Sequence, residues 1–213
     1  MPLRILVPVN HLDRAKGRLA AYLSEEERRA LALATLTTVL EACLAYGATT
    51  GAETWVLTSD YAVAVAVPEG VQVIDEDPAA RGLNAQLEAA VKQLACDEVL
   101  IVHADLPLLT GEALAAFVES APAAPSATIS PSGDGGTNAM LLRPPGRFQL
   151  AYGVHSAAKH RLSAEAARMR VVEVPHPAVA LDLDTPDDLT RLMQTEEGRG
   201  SQAGQLLSEL PPR

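Results

Sequence analysis

Short apolar runs alternate with longer amphipathic stretches along most of this 213-residue chain. Residues 3–9 read as a buried first strand that closes at Pro8 and opens into a polar, basic loop. Ser24-Glu25-Glu26-Glu27 carries the spacing of a capping box, in which a serine and a glutamate three residues on satisfy each other's orphan N–H groups. It opens a long helix with Leu31, Leu33, Leu36, Val39, Leu40 and Leu44 on its apolar positions, predicted to stop near Gly47. Strands are predicted at 53–59 and 71–74, a helix at 84–95 with Leu87, Val91 and Leu94 on one face, and a strand at 98–103. Thr110 caps a helix through Val118, and a Pro/Ala-rich link from Pro122 to Pro125 leads to a strand at 127–130. A glycine-rich loop at 132–138 precedes a strand at 139–142, a helix at 156–168 and a strand at 171–174. Thr185, followed by Pro186 at the first helical position and Asp188 three residues after the cap, starts the last clear helix.

Strands alternating with helices imply an α/β fold with a mostly parallel, doubly wound sheet. The later strands, shorter and flanked by Gly and Pro, suggest an antiparallel edge. The length suits one domain over residues 1–195, and from Thr195 the composition turns to Gly, Gln, Ser and Glu, which predicts a flexible tail at 196–213. Hydrophobic residues make up 48% and aromatic ones 3%, so the core is expected to be small and aliphatic. A formal net charge of −10 argues against nucleic acid or an anionic membrane as partner. Cys43 and Cys96 lack metal-ligand spacing and read as small core residues of a reduced, cytoplasmic protein. The first apolar run is too short for a signal peptide, and no stretch approaches 18 uninterrupted apolar residues.

The chemistry concentrates in a few places. The run 98–103 empties into Ala104-Asp105-Leu106-Pro107, which projects a lone carboxylate at the carboxyl end of a strand, where open α/β sheets bind ligands. A second acidic cluster, Leu181-Asp182-Leu183-Asp184-Thr185-Pro186-Asp187-Asp188, reads as another strand end, and two such carboxylate groups suit a hard divalent cation such as Mg²⁺. The loop after the first strand, from Pro8 and Val9 to Arg18, gathers Arg14, Lys16 and Arg18 against Asp13 alone. It is neither a Walker A loop nor Gly-x-Gly-x-x-Gly, and its cations are expected to neutralise a nucleotide triphosphate, Lys16 as a point charge and Arg18 as a two-pronged donor. In Arg81-Gly82-Leu83-Asn84, Asn84 reads either as a helix cap or, with Gly82, as a reader of base or sugar. Gly133-Asp134-Gly135-Gly136-Thr137-Asn138 has the composition of an anion-binding nest, and Tyr152-Gly153-Val154-His155-Ser156 opens a helix N-terminus that favours an anion. His103 reads as a core residue and His160 as a weak phosphate contact, and no Gly-x-Ser-x-Gly elbow is present.

Together these segments resemble the guanylyltransferases that activate 2-phospho-L-lactate or phosphoenolpyruvate in biosynthesis of the deazaflavin coenzyme F-420, within the MobA-like nucleotidyltransferase superfamily. The resemblance spans about residues 3–192. It is carried by the Pro8–Leu19 loop, Glu26-Glu27-Arg28-Arg29-Ala30-Leu31, Gly82-Leu83-Asn84, Ala104-Asp105-Leu106-Pro107-Leu108-Leu109, Gly136-Thr137-Asn138-Ala139, Gly153-x-x-Ser156-x-x-x-His160 and Leu181–Leu189. It implies a Rossmann-like, GT-A type three-layer sandwich, dependence on Mg²⁺, and GTP as donor to a small phosphorylated carboxylic acid. By position it assigns Thr137, Gly153 and Ser156 to the acceptor, and Asp105 with Asp184, joined by Asp182, to metal. Lys16, Arg18 and Asp105 are then the expected catalytic residues, with Pro8, Val9, Gly82 and Asn84 at the nucleotide. The family usually has lysine at the position of Asn10 and serine at that of Gly17, so this loop has one cation fewer. Rival readings are another MobA-like enzyme making a molybdenum-cofactor or sugar nucleotide, which would usually carry a Gly-rich first loop, and a non-catalytic nucleotide-binding module. A homodimer is left open.

Overall fold

In a computed structural model, which describes residues 2–210, alternate residues of the central strands enter two different apolar layers. Ile5 and Val7 of β1 (Arg4–Pro8) face one layer while Leu6 faces the other; Leu100 and Val102 of β4 (Val99–Val102) face the first, Val99 and Ile101 the second. This period-two pattern, apolar on both faces, is what a strand covered by helices on each side requires. The sheet has the order β3-β2-β1-β4-β6-β5-β7, with β2 (Glu53–Leu57), β3 (Val71–Ile74), β5 (Ser126–Pro131), β6 (Thr137–Arg143) and β7 (Arg170–Glu173). The pairings β1–β2, β2–β3, β1–β4 and β5–β7 are parallel; β6 runs antiparallel to both β4 and β5.

Helices α1 (Glu25–Thr50) and α4 (Gly111–Glu119) cover the first layer, and α3 (Gly82–Leu94) and α5 (Ser156–Ala166) the second. Helix α1 has the predicted capping box, with Ser24 accepting from Glu27 N–H and Glu27 from Ser24 N–H. It runs past Gly47 and stops at Gly51, which takes the left-handed φ of +76°. Gly47 stays inside the helix, where a Cβ would lie 2.6 Å from the Ala52 carbonyl oxygen. Helix α1 is long and apolar enough by composition to cross a membrane, yet Leu36, Val39, Leu40 and Cys43 lie against the sheet.

Two short helices escaped the sequence pattern: α2 (Tyr61–Ala66), capped by Asp60, and α6 (Pro177–Ala180), capped by His176. One turn and a half of Ala and Val shows no helical period, so only the cap marks α2. The acidic segment 181–185 follows α6 and is not a strand end; it is extended chain pinned by Leu183 N–H donating to the Asp105 carbonyl (3.2 Å). Beyond it come α7 (Pro186–Gln194), α8 (Glu196–Gly200) and α9 (Gln202–Glu209). The predicted flexible tail is therefore helical through Glu209, with Thr195 and Ser201 as caps; Pro211–Arg213 lie outside the described residues. Its small residues conceal the reason: Ala203 is buried with Leu19, Leu31, Leu183 and Leu192 in a satellite core, and Gly198 and Gly204 let backbones touch.

A Cβ at Gly198 would overlap the Leu192 carbonyl. Gly198→Ala is expected to lower stability by about 1–3 kcal/mol through overpacking, read as a lower urea midpoint. An unchanged midpoint would mean that α8 and α9 contribute nothing to the fold.

Candidate active site

The strand order reverses between β1 and β4, since β1 sends its crossovers to β2 on one side and has β4 on the other. In a doubly wound sheet such a switch point leaves a crevice at the carboxyl ends of the strands. Here it is a cleft of about 800 Å³, lined by Pro8, Val9 and Lys16 after β1, His103 and Asp105 after β4, and Asp184. The loop after β1 is made of two short 3-10 turns, Leu12–Arg14 and Gly17–Leu19, with Lys16 between them at a left-handed φ of 53°. That backbone costs a non-glycine residue about 1–2 kcal/mol, and the Lys16 side chain is only 6% exposed. Its Nζ lies 2.9 Å from Asp105 Oδ2 and 3.2 Å from Asp184 Oδ1.

Asp182 and Asp184 flank the fully buried Leu183 in extended chain, so alternation sends both carboxylates to the side away from the satellite core. With Asp105 they form a cluster in which one ligand atom from each lies within 4.8 Å of the others. Burial favours the neutral amine of Lys16, but the charges of Asp105 and Asp184 outweigh it and hold the ammonium above its ordinary pKa. Burial pushes Asp105 upward, yet Lys16 and His103 bring it below the ordinary carboxylate range. Asp182 lacks the ammonium: burial, then the Asp105 charge, raise it to about 6. Three carboxylates thus share one ammonium, and Asp105 Oδ1 is buried without a hydrogen-bond partner. An all-oxygen set with excess negative charge and an unused buried lone pair fits a divalent cation. Asp188 is no part of it; its Oδ2 accepts from the N–H groups of Asp184 and Thr185 and caps α7.

Beside the cluster, the β5–β6 register slips between Ser130 and Pro131: Ala139 pairs Ser130, Thr137 pairs Pro131, and Asn138 is the extra residue. Such a bulge re-aims side chains. Asn138 turns to the α6 side, where its amide donates to the Val179 carbonyl (2.7 Å) and to Asp182 Oδ1 (3.3 Å). Thr137 turns to α5, where its hydroxyl meets His160 Nδ1 (3.0 Å) and Ser156 Oγ (3.2 Å). Residues 137 and 138, expected in the glycine loop, are therefore strand residues. The loop itself is not an open nest. Gly135 N–H donates to the Ser132 carbonyl and Gly136 N–H to Asp134 Oδ1, while the Ser132 hydroxyl also donates to Asp134. Asp134 fills the place of an anion, its pKa lowered first by Ser132 and then by Gly136.

Comparison with known proteins settles the family. The family model described as "Guanylyl transferase CofC like" matches residues 3–210. The chain is 39% identical over 196 residues to the phosphoenolpyruvate guanylyltransferase of Conexibacter woesei, covering 89% of this chain and 86% of that one. The chain belongs to the CofC-like guanylyl transferase family. It is also 32% identical over 204 residues to the 3-phospho-D-glycerate guanylyltransferase of Phenylobacterium zucineum, covering 93% and 92% of the two chains. Among solved structures, one from Desulfovibrio desulfuricans G20, described as a nucleotide-diphospho-sugar transferase, superposes with a TM-score of 0.76 at 18% identity, covering 98% and 95%. The fold is thus the nucleotidyltransferase type.

Of the segments that carry the CofC-like resemblance, the loop after β1, the Gly82 turn, Asp105 and Asp184 line the cleft; Thr137, Asn138, Gly153 and Ser156 lie outside its lining, and Arg18 and Asn84 depart from the roles expected of them. Arg18 is exposed and outside the cleft lining, with its charge acting on Asp134; Arg14 lines the cleft in its place. Asn84 neither caps α3, whose N-cap is Arg81, nor faces the cleft. Its amide donates to the Tyr152 carbonyl (3.1 Å) and its Oδ1 accepts from Tyr152 N–H (2.7 Å), clasping α3 to the segment before α5. Gly82, at φ +78°, does line the cleft, and Gly153 holds the turn into α5 at φ +123°. At the two departures from the family pattern, Asn10 lines the cleft and accepts from His11 N–H (2.8 Å), and Gly17 has open space about it.

Sequence reasoning missed Gln86, which accepts from Asp77 N–H (2.8 Å) and donates to the Asp77 and Ala80 carbonyls, shaping the cleft's outer wall. Its signal was a polar residue within the apolar stripe of α3. It also missed Ser59, His11 and Glu76 on the same wall.

Because folded Asp182 holds its proton up to about pH 6 against an ordinary 3.8, the chain loses stability as pH rises through that window. In chelator, Asp182→Asn is therefore expected to stabilise the protein at pH 8 by about 1–2 kcal/mol, discounted for partial solvent screening, and to make no difference at pH 4. Urea denaturation at both pH values checks this; equal stability of variant and wild type at pH 8 would contradict it.

Proposed function

We propose that this protein is a guanylyltransferase that joins GMP from GTP to the phosphate of a small phosphorylated carboxylic acid, with phosphoenolpyruvate as the first choice of acceptor and 2-phospho-L-lactate or 3-phospho-D-glycerate as alternatives. The observation that carries the reading is the Asp105–Asp182–Asp184 cluster with Lys16 at the switch-point cleft, linked to the Thr137–Ser156 pair through Asn138, which follows Thr137 and donates to Asp182. Mg²⁺ held by the three carboxylates supplies charge neutralisation for the phosphates. A place in coenzyme F-420 biosynthesis follows from the family, and a cytoplasmic site of action without nucleic acid or membrane partner suits the net charge of −10.

The chemistry asks little of the chain beyond alignment and charge. The nucleophile is a phosphate oxygen of the acceptor, already anionic at neutral pH. It forms a bond to the α-phosphorus of GTP as the bond to the bridging oxygen breaks, and the electron pair leaves with pyrophosphate. Lys16 and Arg14 offer positive charge from the loop after β1, and burial of Lys16 strengthens its field. Thr137, Ser156 and the turn at Gly153 hold the acceptor acid beside the cluster. No side-chain nucleophile is required. The row of Ser59, His11 and Asp60 on the outer wall runs the wrong way for one: Ser59 donates to Glu76 Oε2 (2.7 Å), so its oxygen accepts from His11. Both Asp60 carboxylate oxygens accept backbone N–H groups, from Leu12 and Ala62.

The direct test is pyrophosphate release by the purified protein with Mg²⁺ and GTP, offering each phosphorylated acid in turn. Release with one acid and GTP, and not with ATP or CTP, is expected; silence with all three acids would overturn the reading. Asp105→Asn is expected to reduce turnover at least about 10³-fold while circular dichroism and urea midpoint stay near wild type. Activity near wild type in that variant would remove Asp105 from the reaction.

A further inference from the structure

His160 is fully buried and takes no direct part in the proposed chemistry, yet it touches the acceptor side at one remove. Its Nε2 receives the backbone N–H of Ala151 at 3.0 Å. A backbone amide can only donate, so Nε2 carries the lone pair. Burial, with the nearby charges of His103 and Lys159, lowers the imidazole pKa to about 4, so the ring is neutral at physiological pH and its single proton sits on Nδ1. That N–H faces Thr137 Oγ1 at 3.0 Å and donates to it. Ser156 Oγ lies 3.2 Å from the same oxygen.

The consequence is a matter of counting protons. Between the hydroxyls of Thr137 and Ser156 there are two, and one closes the hydrogen bond between them. With His160 donating into the pair, the other has no acceptor among these three side chains and is available to a ligand. With the opposite tautomer, Thr137 would donate to Nδ1, Ser156 would donate to Thr137, and the pair would offer a ligand no proton. An anion gains from donors and is repelled by lone pairs, so the tautomer decides whether the pair attracts or repels it.

We infer that His160 is a positioning residue: by holding its proton on Nδ1 it fixes the polarity of the Thr137–Ser156 pair so that a hydroxyl is presented to the acceptor acid as a donor. The ring is clamped for this, in edge contact with Tyr152 (centroids 4.7 Å, 76°) and tilted against Phe148 (5.6 Å). Asn84 clasps the backbone of Tyr152, the residue after Ala151, and so steadies the amide that sets the tautomer. The inference rests on the reading of Thr137 and Ser156 as acceptor contacts.

Three variants of the full chain separate the two claims, with KM for the acceptor acid and for GTP measured in Mg²⁺. Thr137→Val tests the reading. His160→Gln keeps a group that can accept from Ala151 but removes the donor to Thr137, while His160→Asn keeps a donor near the Nδ1 position. Thr137→Val and His160→Gln are each expected to raise the acceptor KM about tenfold with the GTP KM unchanged, and His160→Asn to restore most of the loss. If Thr137→Val raises the acceptor KM and His160→Gln does not, the inference fails and the reading stands. If Thr137→Val leaves the acceptor KM unmoved, the reading fails and takes the inference with it. Equal loss of both KM values and kcat in both His160 variants would show a merely structural residue and overturn the inference. Wild-type protein gives an independent check whether or not the variants fold: long-range ¹H–¹⁵N NMR is expected to find His160 protonated at Nδ1, and protonation at Nε2 would overturn it.

Discussion

Like charges brought together out of water repel, and the cleft end of this fold is organised around that repulsion. Asp105, Asp182 and Asp184 converge within 4.8 Å of one another, with one ammonium, Lys16, set against Asp105 and Asp184. Burial, then the neighbouring Asp105 charge, push the Asp182 carboxyl up to about 6. A buried ion pair repays its desolvation only when geometry and hydrogen bonds are good. Here the chain spends a left-handed lysine backbone, a Leu183 anchor and the Asn138 amide on bringing the charges together. An arrangement that costs stability and leaves an acidic oxygen unpartnered fits a divalent cation.

The rest of the architecture can be read as support for that point. The switch between β1 and β4 places the Lys16 loop and Asp105 side by side. The satellite core of Leu19, Leu31, Leu183, Leu192 and Ala203 fixes the loop after β1 and the 181–185 segment on one apolar base, so the C-terminal helices serve the site from a distance. The bulge at Asn138 divides two neighbouring residues between two tasks, one bracing Asp182 and the other joining the His160–Ser156 group. A single slipped residue thus couples the carboxylate cluster to the Thr137–Ser156 pair.

Much of this was legible in the sequence because it depends on local chemistry. Short apolar runs marked the strands, the Ser24 and Thr185 boxes marked the helix starts, and a carboxylate after a buried run located Asp105 at the sheet's rim. What could not be read depends on contacts across the fold. Asn84 has the look of a cap or a base reader, and only the approach of Tyr152 makes it a clasp. Arg18 and Arg14 are equivalent in sequence, and the turn at Lys16 decides which one faces the cleft. The glycines at 133–136 suggested a nest, but Asp134, within the loop itself, occupies it. The tail was misread because its packing uses glycine and alanine, which hydrophobic patterning does not see.

Whether the three carboxylates bind a cation together is decided by a crystal of the protein with Mn²⁺ and a non-hydrolysable GTP analogue, with anomalous scattering used to locate the ion. An anomalous peak ligated by Asp105, Asp182 and Asp184, with the triphosphate beside Lys16, is expected. Manganese bound elsewhere, with the three carboxylates unligated while the nucleotide fills the cleft, would contradict that expectation.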